Sequence, residues 1–170
     1  MKSRVVWFNL FLWFALLALI AGCKAPGKSK YLASIRFHLE VNADGTDRSN
    51  PVPIGRSTPF MVNVEKIPFL SEHQLLEALL VDTNGAFSLK LQFDGKGTRL
   101  LEQYSSSSRG KRTAIFVEWN EQMRWLAAPR LEKRIADGVV VFTPDASREE
   151  VEELVVGLNK SAKAIQSGRF

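Results

Sequence analysis

Few side chains in this sequence are suited to bond-making or metal binding. There is one Cys, two His and 18 Asp+Glu in 170 residues. A single Cys excludes an internal disulfide framework and any Cys-based zinc finger. His38 and His73 stand apart, with no H-E-x-x-H spacing, so no metal set is expected around them. The run Ser105 to Ser108 lacks a G-x-S-x-G elbow and reads as a flexible helix end rather than a nucleophile cluster. Glu149, Glu150, Glu152 and Glu153 read as a solvated helix start, where the helix dipole favours acids, rather than an acid–base pair. Gly22-Cys23-Lys24-Ala25-Pro26-Gly27-Lys28-Ser29 matches G-x-x-x-x-G-K-[ST] letter for letter. That motif holds phosphate only between a buried strand and a helix N-terminus. No strand pattern precedes it here and no helix pattern follows. The expectation is a non-catalytic chain with no cofactor and no metal.

The one Cys has a more specific context. Lys2 and Arg4 precede an apolar run from Val5 to Gly22, interrupted only by Asn9. A positive start, an apolar stretch and small residues form a secretory signal. The run ends Leu19-Ile20-Ala21-Gly22-Cys23, which resembles the lipobox of bacterial lipoproteins. The resemblance implies that residues 1–22 are a signal peptide and that Cys23 is the acylated first residue. Residues 23–32 are then a short lipidated tether of Lys, Gly, Ser and Pro. The competing reading is an uncleaved anchor, for which 18 residues is near the lower limit of a spanning helix. Either way the remainder lies outside the cytoplasm, because the basic end stays inside. Lys24 occupies the place where an Asp signals inner-membrane retention in diderm lipoproteins, which leans toward the outer membrane.

The totals change once that segment is set aside. The formal charge of +5 comes from 23 Lys+Arg and 18 Asp+Glu. Without Lys2 and Arg4, 21 basic residues face 18 acidic ones, and +3 remains. That modest charge outside the cytoplasm argues against a nucleic-acid partner. Arg109, Lys111 and Arg112 form one basic cluster and Lys133 and Arg134 another. Both read as ordinary solvated loops, with anionic headgroups as the functional alternative. Charged residues at 24% beside 45% hydrophobic argue against wholesale disorder.

Residues 33–166 carry the pattern of one folded domain. Ala33 to Val41 alternates, with Ile35, Phe37, Leu39 and Val41 on one side and Ser34, Arg36, His38 and Glu40 on the polar side. Residues 42–57 read as a polar loop containing two Pro. Phe60, Val62 and Val64 alternate as a second strand. Ser71 and Gln74 suggest a capping box on a short helix. Residues 76–82 and 86–93 flank Asn84-Gly85 and read as a hairpin. Asp94 is suited to N-cap a helix from Gly95 to about Ser107, with Leu100, Leu101 and Tyr104 as its apolar stripe. Thr113 to Trp119 is a strand, and Asn120 to Met123 turns it back into 124–128. Val139 to Phe142 is a short apolar strand. Ser147 and Glu150 form a capping box for a last helix, with Val151, Leu154, Val155 and Leu158 at i, i+3, i+4 and i+7. This is an α+β two-layer sandwich, an antiparallel sheet with two helices on one face. Trp119 and Trp125 flank the hairpin turn. They either cover one end of the core or offer an aromatic surface to an extended peptide, and they are the candidate partner-binding residues.

The second half is similar to the head subdomain of the first periplasmic domain of SecD, a protein-translocase accessory subunit. The likeness covers residues 86–162. It rests on the strand Phe87 to Phe93, the helix Gly97 to Tyr104, Ala114-Ile115, Ala128-Pro129, Ile135 before Gly138, Phe142-Thr143, and Glu149-Glu150 before Leu154. The resemblance implies a ferredoxin-like fold and a role in contacting polypeptide. An Asp-Gly turn of that family is replaced here by Asn120-Glu121-Gln122-Met123, and the proton-coupled membrane helices have no counterpart. The expected function is a membrane-anchored envelope lipoprotein whose domain binds a protein partner or extended polypeptide. The alternatives are an envelope enzyme or small-ligand carrier with a site near His38, His73 or Glu118, and a purely structural lipoprotein.

Overall fold

The computed structural model describes residues 32–43, 45–83 and 85–168. The signal segment 1–22, Cys23 and the tether up to residue 31 lie outside the described residues. The chain order is β1 (Ser34–Leu39), β2 (Ser49–Ile54), β3 (Phe60–Glu65), β4 (Leu70–Ser71), a 3-10 turn at Glu72–Gln74, β5 (Leu75–Thr83), β6 (Ala86–Phe93), α1 (Gly95–Ser107), β7 (Thr113–Trp119), β8 (Gln122–Ala127), β9 (Val139–Phe142) and α2 (Arg148–Gln166). The fold is α+β, built of antiparallel strands and two α-helices in a two-layer arrangement. The strands form three sheets, ordered β4-β1-β7-β8, β2-β3 and β5-β6-β9.

One face of the four-stranded sheet buries Ile35, Phe37, Ile115, Val117, Trp119 and Leu126. They share a core with Leu89, Leu91 and Phe93 of β6, Leu101 of α1, and Val151, Leu154 and Leu158 of α2. Full burial of one such side chain is worth about 1.5–3 kcal/mol, so this cluster is the dominant source of stability. Phe37 is packed edge-on against Phe93 with ring centroids 5.6 Å apart. Gly97 lets α1 sit close, because a Cβ there would lie 2.8 Å from the Phe93 Cβ and 3.0 Å from the Gln74 Cβ.

Local signals placed the helices. Asp94 Oδ1 accepts from Gly97 N–H at 2.7 Å and starts α1. Ser147 and Glu150 form the expected capping box on α2, as Ser71 and Gln74 do on the 3-10 turn. Two expectations fail here. The serine run does not fray: Ser105 is 1% exposed, its Oγ accepts from Ile135 N–H at 2.9 Å, and Ser108 caps the helix. The 42–57 loop contains β2, whose Pro51 and Pro53 sit opposite Asn63 and Met61. Proline removes ladder donors and so reads as loop, but β2 tolerates it because β2 is an edge strand that pairs with β3 alone among the described residues.

Candidate functional site

The β2-β3 ribbon covers the other face of the four-stranded sheet. Ile54, Val62, Val64 and Ala114 form a second small core there, with Trp125 and Val52 against it. This cover explains His38, expected on a solvated face but only 8% exposed. Its Nδ1 lies 2.8 Å from the Glu65 carbonyl oxygen, and its ring meets Trp125 edge-on at 5.2 Å. Burial lowers its pKa from the ordinary value. The Glu65 hydrogen bond works the other way, and the charge of Arg36 adds to the lowering. His73 is exposed on the 3-10 turn, with Nδ1 3.2 Å from Ser71 Oγ. Glu118 pairs with Ser34, at the opposite end of β7 from the His38–Ala114 pair. These three groups do not converge.

Trp119 and Trp125 do not converge either. The β7–β8 turn has two residues, Asn120 and Glu121, both with positive φ (44° and 66°). Trp119 therefore pairs with Gln122, and strand alternation sends Trp125 to the opposite face, across from Phe116. Trp119 is 3% exposed inside the main core, with the Arg124 guanidinium over its ring at 5.2 Å. Trp125 is half-buried between Phe116 and His38. A shared aromatic surface is not formed.

The acids at the start of α2 act in a clasp. Glu150 accepts from Arg56 Nη2 at 2.7 Å, from Arg124 Nη2 at 3.2 Å and from Ser147 N–H at 2.7 Å. Burial pushes its carboxyl up, but the hydrogen bonds from Ser147 and Arg56 and the charges of Arg124 and Arg56 outweigh it. The net result is a lowered pKa. Glu153 accepts from Asn120 Nδ2 at 2.8 Å. The clasp joins the loop after β2, the β7–β8 hairpin and α2.

The sheet edges are more informative for binding. Phe93 N–H donates to the Gly138 carbonyl at 2.9 Å. Hydrogen-bonded pairs alternate along an antiparallel ladder, so Leu91–Val140 and Leu89–Phe142 carry the bonds between β6 and β9. By the same alternation Ala78 and Leu80 of β5 turn their backbone outward. Asn159 of α2 covers that edge: its Oδ1 accepts from Ala78 N–H and its Nδ2 donates to Ala78 C=O, both at 2.8 Å. At β8, Leu126 C=O accepts from Asp145 N–H at 2.8 Å.

The edge of β9 is left more open. Val139 and Val141 turn their N–H and C=O outward. Asp137 Oδ1 accepts from Val139 N–H at 3.1 Å, and Val141 meets no backbone partner there among the described residues. Beside that edge, Leu79, Lys90 and Val141 form a row across β5, β6 and β9. Val141 is 55% and Leu79 40% exposed. The sequence hints at both features. Asn159 interrupts the apolar stripe of its helix four residues after Val155, and Val139-Val140-Val141 is too apolar for a strand with only one buried face.

Among the described residues no helix is long and apolar enough to cross a membrane. No protein-family model and no curated protein matches the sequence. Among solved structures, the chain is similar to the membrane component SecDF that enhances protein export, with TM-score 0.56 and 19% identity over 76% of this chain. It spans 63% of that structure's length. A SecDF crystal structure in the super-membrane-facing form also matches, at TM-score 0.46 and 15% identity, over 93% of this chain and 33% of that one. So does SecDF of Thermus thermophilus, at TM-score 0.43 and 16% identity, over 95% and 34%. The 76% coverage reaches beyond the half of the chain that carried the sequence resemblance, and at this identity what the two share is the fold: this chain has a SecD-like α+β fold.

Proposed function

We propose that the chain is a lipid-anchored envelope protein, held through Cys23, whose non-catalytic SecD-like domain binds an extended polypeptide in protein export. The observation that carries the reading is the open edge of β9. An extended segment adding there finds the outward backbone groups of Val141 and, beside them, its exposed side chain. Main-chain bonds accept any sequence, and the exposed Val141 favours an apolar side chain beside it. That combination suits a chain that has not yet folded. The similar structure is that of a membrane component that enhances protein export.

Site-specific photocrosslinking in cells tests it. A photoreactive residue at Val141 is expected to give adducts with exported polypeptides, while the same residue at buried Val140 gives none. Absence of polypeptide adducts from Val141 overturns the reading. The anchor is tested separately. Cys23→Ser is expected to abolish lipid labelling and block processing, and unchanged labelling refutes the lipobox.

A further inference from the structure

The two basic clusters of the sequence, separated by a strand and a hairpin, become one surface. Gly110 N–H donates to Leu131 C=O and Leu131 N–H to Lys111 C=O, each at 2.8 Å. Arg112 and Arg130 face each other as an isolated antiparallel bridge. The main chain thus sets Arg109, Lys111 and Arg112 beside Arg130, Lys133 and Arg134. All but the half-buried Arg112 are exposed.

These charges are largely uncompensated. Arg109 Nε and Arg130 Nη1 donate to the carbonyls of Glu132 and Gly110, both at 2.9 Å, which fixes their heads without neutralising them. Of the six, Arg134 alone is in an ion pair among the described residues, with Glu102. The nearby acids are Glu102, Glu132 and Glu40, whose Oε2 accepts from Arg112 N–H at 2.6 Å. The remaining residues after Cys23 hold 15 basic and 15 acidic side chains, so the net +3 of the chain after Cys23 resides on this face. Phe60, 41% exposed, lies under the Arg112 guanidinium at 4.8 Å and adds an aromatic ring to the rim.

The acids of α2 lie at the opposite end, where Glu150 is paired with Arg56 and Arg124 and Glu152 with Arg148. β7 leaves the basic face at Thr113 and ends at Trp119, beside the Asn120–Glu153 contact and the Glu149–Glu153 run of α2. That separation is about 20 Å for a seven-residue strand.

We propose that the basic face docks on an anionic phospholipid bilayer. The inference goes beyond polypeptide binding at β9 and does not depend on it. The occupant follows from charge complementarity: a net-positive patch with an aromatic rim matches a surface of phosphate headgroups. The entry point of the chain permits this orientation. Ala33 is held at that opposite end, where Ser161 Oγ accepts from its N–H at 3.1 Å and donates to its C=O at 2.7 Å. Ten residue steps separate Cys23 from Ala33, a maximum reach of about 33–36 Å, more than the ~20 Å length of β7.

The test uses the full chain reconstituted in vesicles of pure phosphatidylcholine or with about one third phosphatidylglycerol. Amine acetylation of Lys111 and Lys133 is followed by mass spectrometry, with exposed Lys163 of α2 as internal control. Labelling of Lys111 and Lys133 is expected to be about fivefold slower on the anionic vesicles, the scale of one basic residue's contribution to such binding. It recovers at high salt and in Arg109→Glu/Arg130→Glu, with Lys163 unchanged throughout. If thermal melting shows that this variant unfolds, Arg109→Gln/Arg130→Gln replaces it, with partial recovery expected. Equal rates on both vesicles overturn the proposal. So does slowing that appears only when polyglutamate is added, which assigns the face to an acidic protein. The Val141 crosslinks are unaffected by either variant, so failure of one reading is distinguishable from failure of the other.

Discussion

Glu121 holds a left-handed conformation (φ 66°) in a two-residue turn whose geometry favours glycine. The left-handed region costs an ordinary residue about 1–2 kcal/mol, and the extra unfolded freedom of glycine returns about 0.5–1 kcal/mol of that. Glu121→Gly is therefore expected to stabilise the fold by about 0.5–1 kcal/mol in urea unfolding. A loss of stability would show that the Glu121 side chain makes a contact stronger than its strain. His38 gives a pH dependence. Its folded pKa is lowered from 6.5, so the unfolded chain takes up the proton first as pH falls. Its contribution is full above pH 6.5 and is lost as pH falls from there toward the folded value. Glu150, also lowered, titrates in a separate window, below 4.5. Denaturant midpoints at mildly acidic and mildly alkaline pH should differ for the native chain, and His38→Gln should flatten the difference. An unchanged slope would assign it to another group. At this scale the placement of the aromatic side chains was not legible. Trp119 and Trp125 looked paired because they flank one turn, but a two-residue turn places them on opposite faces.

Elements were legible where the signal is local. The Asp94 cap, the Ser147/Glu150 box and the apolar spacing of α2 placed both helices, and unbroken apolar runs placed β7 and β9. β2 was not legible, because its register is imposed by β3 while its prolines signal a loop. The outward backbone groups of Ala78 on β5 are capped by one side chain, since Asn159 makes both amide contacts to it. Asn159→Ala is expected to cost about 1–3 kcal/mol, because it leaves a half-buried donor and acceptor unpaired. It should also raise aggregation by opening a second strand edge. A melting temperature and light-scattering trace identical to the native chain would show that water replaces the amide without loss.

At the scale of the whole molecule, two cores of unequal size predict unequal local stability. The main core draws on both helices and on strands of two sheets, whereas the ribbon core has four buried residues, Ile54, Val62, Val64 and Ala114. Amides that open with few buried contacts exchange by local unfolding. Hydrogen exchange at Val62 and Val64 is therefore expected to be faster than at Leu89 and Ile115. Comparable protection at all four would mean that the ribbon unfolds only with the rest of the domain. Opening of the ribbon would also expose His38 and Trp125, linking this motion to the pH dependence.

The sequence by itself determined the α+β class, the two helices with their caps, most strands and the likeness to SecD. Capping, periodicity and turn chemistry act over a few residues, and those residues are adjacent in the chain. Only the tertiary structure decided which sheet edge stays open, that His38 is covered, and that Arg109–Arg112 and Arg130–Arg134 form one positive face. Each of those depends on segments far apart in sequence. Asn159 reaches Ala78 across 81 residues and Asp145 reaches Leu126 through a backbone bond, and no local pattern encodes such a meeting.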